Sequence, residues 1–239
     1  AGLESRREIG WNYIHDCANN RAINIYNESY NGASAPRAQI ERHSVHDNWV
    51  ENQRGIGLLM GADITGENWV FNNVFVNTGL GPEFTDGGGF FPFQLQPGSS
   101  VPVRPTVLHV FNNLIYGTSF LNGPDYTRGL YYLQIGSQVT FDVHNNLAVS
   151  TVSGIAYVNQ YSDPFVGSHN LFFGAGMGPT GSTQSVNTDP SFVNATQRDF
   201  HLGAQSPARN TGTPLSLGVG ALDFDGRPRG SAWSIGPYQ

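Results

Sequence analysis

Six short stretches of the chain share one pattern of apolar and polar positions. In each, an Asn comes three positions after an aliphatic residue (Gly167 in the last stretch) and just before an apolar or aromatic residue. The six are Asn12, Asn48, Asn73, Asn113, Asn146 and Asn170. Successive Asn residues are 24 to 40 positions apart, so a unit near 24 residues recurs with insertions of variable length. Such a period is typical of a solenoid, in which each unit buries its apolar face against its neighbours.

Two short strands are predicted in each unit, one before and one after the Asn. Alternation with a period of two places one set of side chains inside the first strand and another inside the second strand. The first set is Ile9, Val45, Val70, Val110 and Val143, and the second is Ile23, Ile56, Phe90, Leu130 and Ile155. Equivalent strands would stack about 4.8 Å apart as parallel sheets.

The repeated Asn has two expected roles. Asn tolerates the left-handed backbone conformation that a sharp bend needs. Stacked Asn amides can also hydrogen-bond to one another along the column, which satisfies polar groups that would otherwise be buried unpaired.

With these repeats, residues 8–175 resemble the right-handed parallel β-helix proteins of the pectate-lyase-like superfamily. The resemblance implies an all-β fold, a single-stranded right-handed parallel β-helix (solenoid) with about six coils and a C-terminal cap. We expect coils over 1–178, with loop insertions at 28–41, 78–106 and 117–128, and a linker and cap over 179–239. The family is typical of secreted polysaccharide lyases, glycoside hydrolases, epimerases, phage tailspikes and bacterial surface proteins.

The C-terminal segment has motifs of its own. They include Asp189-Pro190-Ser191-Phe192, Asp199-Phe200-His201-Leu202, Asp223-Phe224-Asp225-Gly226 and Ile235-Gly236-Pro237-Tyr238. Their order and spacing resemble the choice-of-anchor Q type segment of bacterial β-helix proteins, which implies a cell-surface or secreted location. We interpret residues 187–239 as a cap that pairs onto the last coil and protects its edge. Asp223-Phe224-Asp225-Gly226 is interpreted as a tight turn, because a complete Ca²⁺ loop needs a Glu where Ser234 stands.

Composition narrows the range of partners. The net charge is −6, and all twelve basic residues are Arg. An acidic chain without a basic face does not favour a nucleic-acid or anionic-membrane partner. No stretch reaches the ~18–20 apolar residues of a membrane span. Because a full repeat follows the first seven residues, we expect this chain to be a mature product or a fragment whose earlier coils are missing, and self-association stays open as an alternative.

Candidate chemistry lies in two insertions of matched position. The stretches from Asn73 to Gly89 and from Asn113 to Gly129 are about twice as long as their counterparts in other units. The candidate catalytic residues on or beside these loops are Glu83, Asp86, Asp125 and Arg128, and the candidate substrate-binding residues are Arg54, Phe91, Tyr126 and Tyr131. Arg54 and Arg128 would hold the carboxylate of an acidic sugar, since Arg forks suit bidentate carboxylate recognition. Phe91 and Tyr131, expected on the outward face of adjacent coils, would stack on sugar rings.

Each of these assignments has a structural alternative. The Arg side chains can form surface ion pairs that pin the loops, and the aromatic side chains can form a small satellite core. The seven His residues have no metal-ligand spacing and are interpreted as solvated or ladder residues, so we expect no cofactor and no metal site among them. A bound Ca²⁺ stays open at this point, although no complete motif supports it. The absence of Lys excludes a Lys general base.

Two functions remain open at this point. One is recognition of an extracellular polysaccharide, with an Arg- or Tyr-based lyase or a carboxylate-based hydrolase as the catalytic form. The other is a non-catalytic structural or adhesive module of a bacterial surface protein or extracellular assembly.

Overall fold

Short strands joined by turns make up nearly all of the described chain. The computed structural model describes residues 4–18, 21–27, 40–62, 66–79, 93–97, 106–117, 129–133, 139–150, 155–159, 166–174 and 181–239. Within these residues the protein is all-β with long parallel sheets, and its helical content is the single 3-10 turn Ala195–Gln197.

Three parallel sheets contain most of the described strands. The first sheet consists of β1 (Glu4–Gly10), β4 (Ile40–His46), β7 (Gly66–Phe71), β10 (Thr106–Phe111), β13 (Val139–His144), β16 (Gly167–Ser168) and β18 (Ser182–Thr183). The second consists of β2 (Tyr13–His15), β5 (Trp49–Gln53), β8 (Val74–Thr78), β11 (Leu114–Gly117), β14 (Leu147–Ser150) and β17 (Leu171–Phe173). The third consists of β3 (Arg21–Asn27), β6 (Ile56–Ala62), β9 (Phe93–Pro97), β12 (Gly129–Leu133) and β15 (Ile155–Asn159).

The chain visits the three sheets in rotation. From β1 to β15, the neighbours of a strand in its sheet are the strands three places earlier and later in the chain, and β16 and β17 follow β13 and β14 in the same way. One apolar cluster takes side chains from all three sheets, including Val45 from the first, Phe75 from the second and Leu58 from the third. This order and the shared core are compatible with a β-solenoid. We call the side of each sheet that faces this core its inner face.

The predicted Asn ladder is confirmed. The side-chain amide of each Asn in the column donates to the Oδ1 of the next, from Asn12 to Asn170, at 2.9 to 3.0 Å. The expected left-handed backbone at these Asn residues is wrong, since it occurs one residue earlier. The residue just before each ladder Asn has a positive φ, between 51° and 57°, and these residues are Trp11, Asp47, Asn72, Asn112, Asn145 and His169. The bend is therefore made by the preceding residue, and the ladder Asn turns its amide inward.

The predicted register of the third sheet is also wrong. Ile23 pairs with Leu58 instead of Ile56, and Arg21 pairs with Ile56, so Arg21 and Arg54 do not form a column. Tyr131 pairs with Phe93 instead of Phe91. Both of these shifts are of two residues, which keeps every side chain on the same face of a strand, so alternation alone cannot detect them. At β12 and β15, Ile155 pairs with Gly129 instead of Leu130, which is a shift of one residue.

The C-terminal segment covers more of the protein than an end cap would. Its strand β18 pairs in parallel with β16, and Val186 forms a parallel bridge with Leu171. Beyond these contacts it forms the antiparallel pair β19 (Phe192–Asn194) and β20 (Asp199–Leu202) and packs against the outer face of the second sheet. The buried side chains from the segment are Phe200, Leu202, Ala208, Ile235 and Tyr238, and those from the sheet are Val74, Val76, Leu114, Leu147 and Leu171.

The turn predicted at Asp223-Phe224-Asp225-Gly226 is present. Asp223 Oδ1 accepts hydrogen bonds from the backbone N–H groups of Asp225 and Arg227, at 3.0 and 2.8 Å. Asp223 Oδ2 accepts from the backbone N–H of Gln239 at 2.9 Å. Both carboxylate oxygens of Asp223 therefore cap backbone groups, as the sequence predicts.

Candidate functional site

The groove predicted from the sequence lies mostly beyond the described residues. Glu83, Asp86, Phe91, Asp125, Tyr126 and Arg128 are outside the described part of the chain. Tyr131 belongs to β12, and Arg54 is exposed in the turn between β5 and β6. The groove beside loops 78–88 and 117–128 therefore stays a prediction, and so do the predicted insertions that contain these loops.

A cleft of about 620 Å³ lies elsewhere, on the outer face of the first sheet. Since Val45 and Val70 face the core, alternation along β4 and β7 turns His46, Trp69 and Phe71 outward. The cleft is bounded on one side by β1, β4 and β7 and on the other by residues 218–222 of the C-terminal segment. Its principal side chains are Arg6, Glu8, Trp11, Arg42, His46 and Trp69, and we call it the aromatic cleft.

Stacked rings cross the strands along this face. The Trp11 ring meets His46 edge-on, with centroids 4.7 Å apart. His46 lies flat on Phe71 at 4.8 Å, and Phe71 lies flat on Phe111 at 5.1 Å. Gly10 is next to His46 in register, and a Cβ there would lie 2.7 Å from the imidazole Cε1. The exposed indole of Trp11, at 74% of its full accessibility, ends the stack as an open aromatic surface.

Charged groups surround the stacked rings. His46 Nε2 lies 3.0 Å from Glu8 Oε1, and His46 Nδ1 lies 2.8 Å from Asp47 Oδ2. Burial opposes protonation of His46, but the hydrogen bonds to Asp47 and Glu8 outweigh it and raise the His46 pKa. Arg6 and Arg42 are paired in register on β1 and β4. The cleft therefore combines an open aromatic surface with two guanidinium groups and an imidazole held between carboxylates.

Residues 218–222 are held in place by a buried anchor. Asn72, at a left-handed turn position, donates from Nδ2 to the Leu222 carbonyl at 2.8 Å. Its Oδ1 accepts a hydrogen bond from Arg229 at 3.0 Å, and Arg229 also donates to the Pro237 carbonyl at 2.8 Å. Burial lowers the pKa of Arg229 to about 10, so the guanidinium stays protonated at neutral pH. Leu217 and Val219 pack against Phe71 and Phe111 beneath this wall.

A second polar cluster continues along the same outer face. His109 Nε2 lies 3.1 Å from Glu67 Oε1, and His109 Nδ1 lies 2.8 Å from Asp142 Oδ2. The other oxygen of Asp142 lies 2.6 Å from His144 Nε2, and His144 Nδ1 lies 2.8 Å from Ser168 Oγ. These five residues come from four neighbouring strands, β7, β10, β13 and β16. We call Glu67, His109, Asp142, His144 and Ser168 the histidine row.

The protonation states along the histidine row follow from these contacts. Hydrogen bonds from His109 and His144 lower the pKa of Asp142 well below its ordinary value, so this carboxylate stays ionised. Burial disfavours the charged form of His109, but the bonds to Asp142 and Glu67 prevail and raise its pKa. His109 therefore tends toward the imidazolium form, in which both ring nitrogens donate.

Trp69 joins the two features. It lines the aromatic cleft, and its ring stacks on His109 with centroids 6.0 Å apart. Trp69, His109 and Asp142 are successive register partners on β7, β10 and β13. At an inter-strand spacing of about 4.8 Å, Asp142 lies about 10 Å from Trp69 along the sheet. The cleft and the histidine row thus form one continuous surface.

Sequence reasoning did not identify this surface. It interpreted His46, His109 and His144 as solvated or ladder residues, whereas each is held by a carboxylate on the outer face of the first sheet. The alternation of inward and outward residues before each ladder Asn contained a signal for this surface. The residues two and four positions before each ladder Asn face outward, and several of them are His, Asp, Glu or aromatic. The predicted candidate residues lie instead on or beside the long insertions.

Comparisons with known proteins add no family assignment. No protein-family model matches this chain, and no curated protein matches it significantly. Over the described ranges, no group of three or more His, Cys, Asp or Glu side chains is arranged to hold a metal ion. No helix in the described part of the chain has the length and apolar character needed to span a membrane.

Proposed function

We propose that this chain is a right-handed parallel β-helix of about six coils that recognises an extracellular polysaccharide. On this proposal it belongs to the pectate-lyase-like superfamily, ends in a choice-of-anchor Q type segment and is secreted or held at a cell surface. The proposed recognition surface is the aromatic cleft. A catalytic groove at Asp86, Asp125 and Arg128 stays a prediction.

The rotation of the chain through three parallel sheets supports the β-helix proposal. One turn of a β-helix contributes one strand to each sheet, and the next turn stacks upon it. The strand order of the described residues has this form, and a single ladder of Asn amides runs through six successive units.

The single observation that carries the recognition proposal is the composition of the aromatic cleft. Exposed indole faces suit the apolar faces of sugar rings, and Trp11 and Trp69 both line the cleft. Arg6 and Arg42 bring two guanidinium groups to the same cleft, although the chain as a whole is acidic. Since guanidinium groups bind carboxylates in a bidentate manner, the cleft favours a polysaccharide that contains uronic acids.

Binding to a glycan array followed by titration calorimetry tests this proposal. We expect a polyuronate to bind, and Trp11→Ala to weaken it about 5- to 10-fold, which corresponds to loss of about 1 kcal/mol of aromatic stacking. Arg42→Gln should reduce affinity for the polyuronate and have little effect on a neutral polysaccharide.

Tyr13→Ala is the matched control. Tyr13 is almost as exposed as Trp11, at 62%, but belongs to β2 in the second sheet and does not line the cleft. It should bind like the unmodified chain. Equal losses in the two aromatic variants would place the binding surface elsewhere. Absence of glycan binding together with multimer formation would favour the structural or adhesive alternative.

A further inference from the structure

Ser168, His144 and Asp142 form a linked triad in the histidine row. Ser168 Oγ lies 2.8 Å from His144 Nδ1, and His144 Nε2 lies 2.6 Å from Asp142 Oδ1. His144 and Ser168 are register neighbours on β13 and β16, so the backbone holds the hydroxyl beside the imidazole. All three side chains are partly exposed on the outer face of the first sheet.

The direction of the hydrogen bonds suits proton abstraction from Ser168. Asp142 is ionised and can only accept, so His144 Nε2 carries the proton in this contact. In the neutral imidazole Nδ1 is then an acceptor, and the Ser168 hydroxyl donates to it. This is the arrangement by which an imidazole activates a serine nucleophile, with the carboxylate fixing its tautomer.

The remaining neighbours support the same roles. His109 donates to the second oxygen of Asp142 and is itself held by Glu67, which keeps the carboxylate oriented. His169 Nδ1 lies 2.8 Å from Ser168 Oγ, and because the hydroxyl proton points to His144, His169 donates here. Burial, followed by the charge of His144, lowers the His169 pKa and favours its neutral form.

We propose that Ser168 is the nucleophile of an ester-hydrolysing site, with His144 as general base and Asp142 as the positioning residue. Ser168 Oγ bonds to the ester carbonyl carbon while its proton moves to His144 Nδ1. The bond from that carbon to the alcohol oxygen breaks, and the leaving alcohol takes the proton from His144. A water molecule then attacks the acyl-serine and gives a proton to His144, which returns it to Ser168 Oγ as the carboxylic acid leaves.

The substrate class follows from the position of the site beside the aromatic cleft. Asp142 lies two strands from Trp69, a distance of about 10 Å along the sheet. This distance is about the length of one or two sugar rings. A polysaccharide held in the cleft would present its ester groups to Ser168. The fitting substrate is an ester-substituted polysaccharide, such as one carrying O-acetyl groups, and this sugar part of the inference rests on the proposed function.

The test uses two reagents that contain no sugar. A fluorophosphonate probe should label the chain at Ser168, as located by peptide mass spectrometry, and p-nitrophenyl acetate should be hydrolysed with turnover. Ser168→Ala should abolish labelling and lower turnover about 10³-fold or more, and His144→Gln should have an effect of similar size. Thermal melting of both variants verifies that they are folded.

Ser231→Ala is the matched control, because Ser231 is an exposed serine of the C-terminal segment that belongs to neither the cleft nor the row. It should label and turn over like the unmodified chain. Labelling elsewhere than Ser168, or turnover unchanged in folded Ser168→Ala, would overturn the proposal. Neither result would affect glycan binding by the cleft, so the two proposals fail independently.

The positioning role of Asp142 has its own readout. The pH profile of labelling is first measured in the unmodified chain, where Asp142, His169 and the more distant His109 and Glu67 are the ionisable groups around the His144–Ser168 pair. Asp142→Asn should slow labelling about 10²- to 10⁴-fold and alter this pH profile, since an amide favours the wrong imidazole tautomer. Slower labelling that scales only with lost thermal stability would contradict the positioning role.

Discussion

Each inner Asn of the ladder satisfies several backbone groups at once. The two N–H groups of Asn113 Nδ2 are shared among three acceptors, the carbonyls of Val70 and Phe111 and Asn146 Oδ1, at 2.9 to 3.2 Å. Its Oδ1 accepts from both the backbone and side-chain nitrogens of Asn73. Because Asn113 is fully buried, water cannot replace these partners.

Asn113→Ala should therefore lower the free energy of unfolding by about 3 to 5 kcal/mol, since several buried groups lose their partner. Asn12→Ala is the matched control at the exposed start of the ladder, and should cost about 1 kcal/mol or less because water can solvate the freed groups. Denaturant titration of both variants measures the difference. Similar costs at the two positions would mean that burial of the ladder does not determine its contribution.

At the scale of elements, the outward residues of the Asn turns attach the C-terminal segment. Asn112 Nδ2 donates to the Ser234 and Gly236 carbonyls, and Asn145 Nδ2 donates to the Thr213 carbonyl. Leucine and valine side chains on the outer face of the second sheet are buried under this segment. The turns thus fix the segment along the side of the sheets, and its residues 218–222 become a wall of the aromatic cleft.

Two glycine substitutions test this attachment. Gly236 has φ of +100°, and a Cβ there would lie 2.3 Å from Leu147 Cδ1. Gly236→Ala should cost about 3 kcal/mol through backbone strain and overpacking, and should expose the segment to limited proteolysis. Gly226 has φ of +77° but open space around it, so Gly226→Ala should cost only about 1 kcal/mol. Equal protease resistance in both variants would argue against tight docking of residue 236.

At the scale of the whole molecule, carboxylate-bound His residues tie separate strands together. His46 joins β4 to Glu8 on β1, and His109 joins β10 to carboxylates on β7 and β13. His201 on β20 contacts Asp199 and Asp225 in the C-terminal segment. Burial acts against protonation in all three, but hydrogen bonds to the carboxylates raise each His pKa.

These shifts predict how stability depends on pH. A His with a raised pKa binds more protons in the folded state than in the unfolded state, so its stabilising effect is complete below about pH 6.5 and is lost as pH rises through the raised pKa. The lowered pKa of Asp142 acts oppositely, stabilising above about pH 4 and losing its effect below. The melting temperature should therefore be higher at pH 5.5 than at pH 8.5.

Differential scanning fluorimetry in buffers of constant ionic strength measures this difference. His109→Gln should reduce this difference in melting temperature, because it removes contacts to carboxylates on two neighbouring strands. His15→Gln is the control and should leave the difference unchanged, because the exposed His15 ring contacts the adjacent Asp16 instead of a carboxylate on another strand. A melting temperature that rises from pH 5.5 to pH 8.5 would contradict the assignment.

The repeating strands, the inner faces of the first sheet and the Asn ladder could all be predicted from the sequence. These features depend on local periodicity, and residues such as Val45, Val70 and Val110 recur at the same distance before each Asn. The same periodicity predicts which side chains face outward. It does not predict which of them contact one another, because Glu67, His109 and Asp142 become neighbours only when three strands stack.

The register of the third sheet, the path of the C-terminal segment and the location of the cleft depend on packing between distant parts of the chain. A slip of two residues preserves every face, so Ile23 could not be matched to Leu58 by alternation. The C-terminal segment has no repeat. Its path depends on the apolar outer face of the second sheet and on the side-chain amides of the turns, such as that of Asn72, which hydrogen-bond to the segment. The cleft forms between these two parts of the chain, which explains why no single stretch of sequence contained it.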